Sequence, residues 1–222
     1  RRDTRLLSDL EGQFEWVEGD VVDFDGLRRA IDAYRIDQII HLAAFLPARE
    51  KDHPREAWQI NAMGTCNVLE AARLAGHRRL TYTSSRGVFG FVPAPYAPPD
   101  LVPLPEDVPK APIMLYDIAK RATEDLCGWY ERNHGLVTTI LRFPQPYGPG
   151  RLVRHGPVAT VSLFIEHGMI GKPTHLPSGG DIIDDLVYVR DAAQGIVKAA
   201  VAPEPTSRVY HIGGGKLYTL AE

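Results

Sequence analysis

The sequence predicts an α/β protein built on a doubly wound parallel sheet, followed by a smaller C-terminal cap. Three observations carry this. Short apolar or β-branched runs alternate with helical stretches of roughly 10 to 20 residues, the order that gives crossover units. The run at 37–44 (DQIIHLAA) is of the apolar type found in strands covered on both faces. Glycines close two of the helical stretches, at Gly76 and Gly135, where a left-handed cap is favoured.

The elements follow in order. Residues 13–20 (QFEWVEGD) read as a short strand. Residues 24–35 form a helix with Leu27, Ile31 and Tyr34 on one face. Residues 37–44 (DQIIHLAA) are a buried strand, 55–76 a long helix and 78–85 (RRLTYTSS) a strand. A loop over 91–112 holds eight of the eighteen prolines. Residues 116–135 are a helix and 136–143 (LVTTILRF) a strand rich in β-branched residues. Beyond Gly150 the pattern loosens into a helix around 158–168, a Gly/Pro stretch at 171–180, a helix over 190–201 and a strand at 208–212. The expected division is a dinucleotide-binding domain at 1–150 and a mixed cap at 151–222, with segments returning to the sheet.

Composition narrows the function classes. The 222 residues are 44% apolar and 24% charged, enough for a core and unlike a disordered chain. Net charge is −3 with no long Lys/Arg block, so nucleic acid and membrane surfaces are not expected partners. No signal-peptide pattern opens the chain and no apolar run reaches spanning length, so a soluble cytoplasmic protein is expected. Cys66 and Cys127 read as two buried thiols of such a protein. His53, His77, His134, His155, His175 and His211 lack ligand spacing, so no metal site is expected; His41, at a strand end, reads as structural.

A doubly wound sheet binds ligands at the carboxyl ends of its strands. HLAA, TSSRG and RFPQPYG all fall there. In YDIAK, Tyr116 and Lys120 stand four apart, so their side chains share a helix face. An ammonium beside a phenol favours the phenolate. A fall from the ordinary tyrosine value near ~10 to about 7 would make Tyr116 a usable base. Ser85, 31 residues upstream at a strand end, can hydrogen-bond the same substrate oxygen.

With GDVVD (19–23), HLAA (41–44), NAMGTCNVLEAA (61–72), TSSRGVFG (83–90), YDIAK (116–120), LRFPQPYGPG (141–150), DDLVYVRDAA (184–193) and VYHIGGG (209–215) in one order, the chain resembles an extended short-chain dehydrogenase/reductase of the NAD-dependent epimerase/dehydratase family. The resemblance implies a Rossmann-type sheet. It also implies a tetrad of Asn61, Ser85, Tyr116 and Lys120. Asp20 and Val21 would meet the adenine of NAD (NADP is not excluded), and Leu42, Ala43 and Ala44 its phosphate and ribose. Asn61, Tyr116, Lys120 and Pro144 would complete that site, with Lys120 on the nicotinamide ribose and Pro144 at the carboxamide. Ser85, Arg86, Tyr116 and Gln145 would face a sugar-like substrate, and a homodimer is implied. Ser84 is then the structural neighbour of a catalytic Ser85.

Three departures stand out. The family's glycine-rich pyrophosphate loop is missing from the sequence, and the chain stops at LYTLAE, so the first βαβ unit and the C-terminal end are expected to be absent. The GGGK at 213–216 lacks the spacing to replace that loop. The family's substrate asparagine is Gln145. Asp184 stands where nucleotide-sugar members often carry an arginine for diphosphate. Asp184 and Asp185 otherwise read as solvated or as cap contacts. The expected activity is Tyr-assisted hydride transfer in an NAD(P)-dependent epimerase/dehydratase on a sugar or nucleotide sugar. The alternatives are a dehydrogenase of a small hydroxy acid or sugar acid, and a cofactor-binding regulatory module without turnover.

Overall fold

The computed structural model describes residues 5–77, 79–203 and 207–222. Helix α1 (Phe24–Ala33) opens where the Asp23 carboxylate accepts the Gly26 N–H at 2.9 Å, an N-cap. Strand β1 (Ile40–His41) leads through a loop to α2 (Pro54–Trp58), a single π-turn (Gln59–Met63) and α3 (Gly64–Leu74). Strand β2 (Arg79–Ser85) and the loop after it precede α4 (Leu115–His134) and β3 (Val137–Phe143). Gly135 closes α4 with φ 68°, a conformation that glycine adopts without strain.

The order β1-β2-β3-β6 forms one parallel sheet, β6 being Val209–His211. Ser85 pairs with Phe143, so β2 and β3 end level with each other. A second, smaller sheet has β4 (Gln145–Tyr147) parallel to β5 (Ile183–Tyr188), and β7 (Leu217–Thr219) antiparallel to β5. Helices α5 (Thr160–Met169) and α6 (Val189–Val201) complete the fold. Among the described residues no helix is long and apolar enough to cross a membrane.

Alternation along the strands explains the two layers. Leu80, Tyr82 and Ile140 point to one face and pack with Val68, Leu69 and Ala72 of α3 and Cys127 and Tyr130 of α4. Leu141 and Phe143 point to the other and pack with Val187 and Ala192, the latter on α6. Helices therefore cover both faces, as the alternation of strands and helices predicts. A third cluster lies over the sheet's carboxyl edge: Val88, Phe89 and Val108, with Val92, Tyr96 and Leu104. The proline-rich loop thus has a small core of its own.

The structure corrects two expectations. Residues 13–20 are not a strand: they run as exposed coil, with Phe14 edge-on to Trp16 at 5.2 Å. Strand backbone needs a neighbouring strand to take its N–H and C=O groups, and no described segment pairs with this one. The 37–44 run is a strand only at Ile40–His41, paired on one side with β2; Leu42 and Ala43 lie exposed beyond it. Cys127 is buried, Cys66 half-buried, and both are free thiols.

Candidate active site

Two bonds fix α4 against the end of β2. The Lys120 ammonium donates to Thr83 O at 2.6 Å, and Ser84 Oγ donates to Glu124 Oε1 at 2.6 Å. Spaced by four, Tyr116, Lys120 and Glu124 share the sheet-facing side of α4. Ser85 Oγ, one residue past Ser84, accepts the Gly87 N–H at 3.0 Å and caps the turn at Arg86–Phe89. Ser84 is the structural serine, and Ser85 stands at the open edge.

Lys120 is 3% exposed. Its Nζ lies 4.6 Å from the centroid of the Tyr82 ring and 5.5 Å from that of Tyr116. Burial lowers its pKa to about 8, against the pull of Glu124. Thr83 O is its one hydrogen-bond acceptor among the described residues, leaving donors for a ligand hydroxyl. Tyr116 differs from expectation. Burial, reinforced by Asp117 and opposed by Arg151, pushes its phenol up to about 12. A phenol at that value keeps its proton near neutral pH.

Asn61 occupies the π-turn, a local widening frequent at functional positions. Its Oδ1 accepts the Phe45 N–H at 2.8 Å and its Nδ2 donates to Phe45 O at 2.9 Å. It pins the chain just after Leu42, Ala43 and Ala44. His41 is structural: its Nε2 bonds Thr65 Oγ1 at 3.0 Å, and its ring stacks on Tyr82 at 5.6 Å. Burial, with Lys120 nearby, lowers its pKa to about 4. Asp20 Oδ1 accepts the Val22 N–H at 3.0 Å. The Val21 side chain packs against Gly64 while its carbonyl accepts from Asn67 at 2.9 Å. Pro144 lies half-buried between β3 and β4; Gln145 reaches Thr160 Oγ1 at 3.4 Å.

Asp184 is drawn into an ion pair: Arg86 Nη2 donates to its Oδ1 at 3.1 Å. Asp185 accepts the Gly214 N–H at 2.9 Å, which places the GGGK segment against the small sheet.

Four features escape a reading of spacing alone. Glu50, 5% exposed, accepts the Tyr116 N–H at 2.8 Å and so caps a helix whose own N-cap, Met114, offers no side-chain acceptor. Asp117 and Arg151 act on Tyr116. Glu124 and Arg142, 4% and 2% exposed, form a forked pair with Nε–Oε1 at 2.9 Å and Nη2–Oε2 at 2.8 Å. Lys110 joins Glu124 Oε2 at 2.7 Å, and Arg142 Nη1 donates to Glu106 O at 2.7 Å. Burial opposes the Glu124 charge, but bonds from Arg142, Lys110 and Ser84 hold its carboxyl below the usual range. Of these, only the acid following Tyr116 left a local signal; the rest join residues far apart in sequence.

Comparison with known proteins places this geometry. The model for the NAD dependent epimerase/dehydratase family matches residues 1–213. The chain is 32% identical over 204 residues to a UDP-glucose 4-epimerase of Mycolicibacterium smegmatis, covering 91% of this chain and 62% of that one. It is 28% identical over 223 residues to a dTDP-glucose 4,6-dehydratase of Salmonella typhimurium, covering 94% and 60%. A solved UDP-glucose 4-epimerase of Thermus thermophilus in complex with NAD superposes with TM-score 0.79 at 28% identity, covering 91% of this chain and 64% of that one. A dTDP-glucose 4,6-dehydratase of Streptomyces venezuelae with NAD bound gives TM-score 0.83 at 25% identity, covering 97% and 63%. The chain thus spans less than two thirds of the length of these relatives. A family model that runs from the first residue through β6, over a sheet edge carrying Ser85, Tyr116 and Lys120, leaves one assignment: the chain belongs to the NAD dependent epimerase/dehydratase family.

Proposed function

We propose that this chain carries the catalytic centre of an NAD-dependent enzyme that oxidises, and then returns or eliminates, a hydroxyl function of a sugar or nucleotide sugar. One observation supports it above the others. Lys120, bonded to Thr83 O near the β2 end that carries Ser85, lies 5.5 Å from the Tyr116 ring centroid, and its buried ammonium has hydrogen-bonding capacity left over. NAD would be held by Lys120 at its ribose, by the Leu42–Ala44 chain, and by Asp20 and Val21 at the adenine. When bound it supplies a hydride acceptor and a positive charge. Ser85 Oγ holds the substrate oxygen. Tyr116, protonated as it stands, donates a proton to that oxygen in the reducing direction and recovers it in the oxidising one. Lys120 stabilises the phenolate. Asn61 keeps the 42–45 segment in place, and residues 151–222 close the substrate side, with Gln145 and Arg86 at the pocket.

The relatives act, by their names, on UDP-glucose and dTDP-glucose; the same class is proposed for this chain. A sugar acid is the second reading. The acidic Asp184, neutralising Arg86, disfavours a diphosphate at that point. Tyr116→Phe tests the chemistry with UDP-glucose, dTDP-glucose and UDP-glucuronate. Turnover should fall by about 10²–10⁴ while NAD affinity stays within about twofold. Turnover within about tenfold of the parent overturns the role of Tyr116.

A further inference from the structure

Asp117 follows Tyr116 in the first turn of α4, where acids ordinarily serve the free N–H groups of the helix. Here that service is rendered by Glu50, which takes the Tyr116 N–H. The Asp117 carboxylate instead lies over the turn that carries Ser85. A Cβ at position 87 would overlap its carboxyl carbon and both oxygens. Gly87 donates its N–H to Ser85 Oγ, so the carboxylate and the serine hydroxyl share one three-residue turn. The charged groups acting on Asp117 are Glu50, from the segment before α2, and Arg86, at the start of that turn. Arg86 is itself engaged with Asp184 on β5. Tyr116, its neighbour on α4, is in turn acted on by Arg151. The Asp117 carboxylate accepts no hydrogen bond from any described residue. Burial, then Glu50, raise its carboxyl to about 6, with Arg86 opposing.

A half-buried carboxylate without a donor, lying against the turn of Ser85 and close enough to act on Tyr116, is built to receive a second hydroxyl. We propose that Asp117 is a substrate-contacting residue of this site, its carboxylate accepting a hydrogen bond from the hydroxyl on the carbon next to the one whose oxygen Ser85 and Tyr116 hold. The inference rests on the reading of Ser85 and Tyr116 given above. It commits the site to a substrate with vicinal hydroxyls. Buried groups placed for a hydroxyl reject analogues lacking it.

A purely structural role makes the opposite forecast for stability. The folded-state value lies above the unfolded one (about 6 against 3.8), so the folded form binds the extra proton between these pH values. Stability falls as pH rises through that window, and the ionised carboxylate opposes folding above it. Neutralising Asp117 should therefore leave stability at pH 7.5 equal or higher.

The test uses the purified protein with UDP-glucose, dTDP-glucose and UDP-glucuronate, taking whichever the parent turns over. Asp117→Ala should lower kcat/KM at least tenfold, through KM rather than kcat, with NAD affinity unchanged. Gly87→Ala, which displaces the carboxylate, should do the same. Asp117→Asn keeps only the weaker neutral acceptor, so its kcat/KM at pH 7.5 should fall to the level the parent reaches below about pH 6, and the acid limb near pH 6 should be lost. Melting temperature at pH 7.5 should not drop in Asp117→Asn. Unchanged kinetics in Asp117→Ala, an acid limb retained in Asp117→Asn, or a loss of activity that only tracks lost stability overturns the proposal. If the parent is active and Tyr116→Phe is dead, that failure belongs to Asp117 alone. If the parent turns over none of the three, or Tyr116→Phe keeps its activity, the underlying reading falls and this proposal with it.

Discussion

Replacing Arg142 with methionine keeps the stem of a side chain that is 2% exposed and removes its charge. Four bonds go: two to the Glu124 carboxylate, at 2.9 and 2.8 Å, one to Glu106 O at 2.7 Å and one with His211 Nε2 at 3.3 Å. The stacking of the guanidinium over Phe89, 4.9 Å from the ring centroid, goes with them. Glu124 is left with Ser84 and Lys110. Removing one partner of a buried pair leaves an uncompensated charge and costs about 3–5 kcal/mol. Lys110 still serves the carboxylate, so the lower end, about 3 kcal/mol, is expected. The measurement is urea unfolding followed by tryptophan fluorescence at several pH values. In the parent, Glu124 is depressed below its unfolded value, so its stabilising contribution is present above that value and lost as pH falls through the folded one. In Arg142→Met the carboxyl rises, and protonation relieves its penalty. The difference between parent and variant should therefore shrink on acidification from pH 7 towards 4. Adding Glu124→Gln should recover part of the loss, with a coupling of at least about 2 kcal/mol. A loss under about 1 kcal/mol, as an exposed pair would give, or one independent of pH, refutes the reasoning.

Two further outcomes are expected. His41 titrates at about 4 in the fold against 6.5 unfolded, so the unfolded chain binds the extra proton between these values; stability should fall as pH drops through that window, by at most about 3 kcal/mol, and urea titrations of His41→Gln should show a flatter pH dependence. Lys120→Met should lower NAD affinity at least tenfold in calorimetry while stability stays within about 1 kcal/mol of the parent, because burying the ammonium already offsets its bond to Thr83; a loss above about 2 kcal/mol would assign the lysine to the fold instead.

What the sequence revealed follows from how local each signal is. The Tyr116–Lys120 spacing and the strand ends at Ser85 and Phe143 are properties of contiguous residues, and both took their expected places. The 13–20 segment carries strand-forming residues, but a strand exists only with a partner, and propensity alone does not supply one. The acidity of Tyr116 is not legible in the spacing, which reports a nearby lysine and not the burial and the Asp117 charge that raise the phenol. Glu50 and Arg142 reach their partners across 66 and 18 residues, a distance over which no single-sequence pattern speaks.

The proline-rich loop is wired into the sheet beneath it. Lys110 and the Glu106 carbonyl, both in the proline-rich loop, end on the same buried pair that anchors Ser84. The loop cannot be exchanged as a module. A graft lacking a cation at 110 would leave Glu124 short of a partner, and Glu124 holds Ser84, the neighbour of the serine proposed to bind substrate. Changes in this loop that alter substrate range should therefore arise among its exposed residues, such as Phe91, 87% exposed, or be accompanied by a change at Glu124 itself. Loop and strand end are thus held by one buried ion pair and shift together.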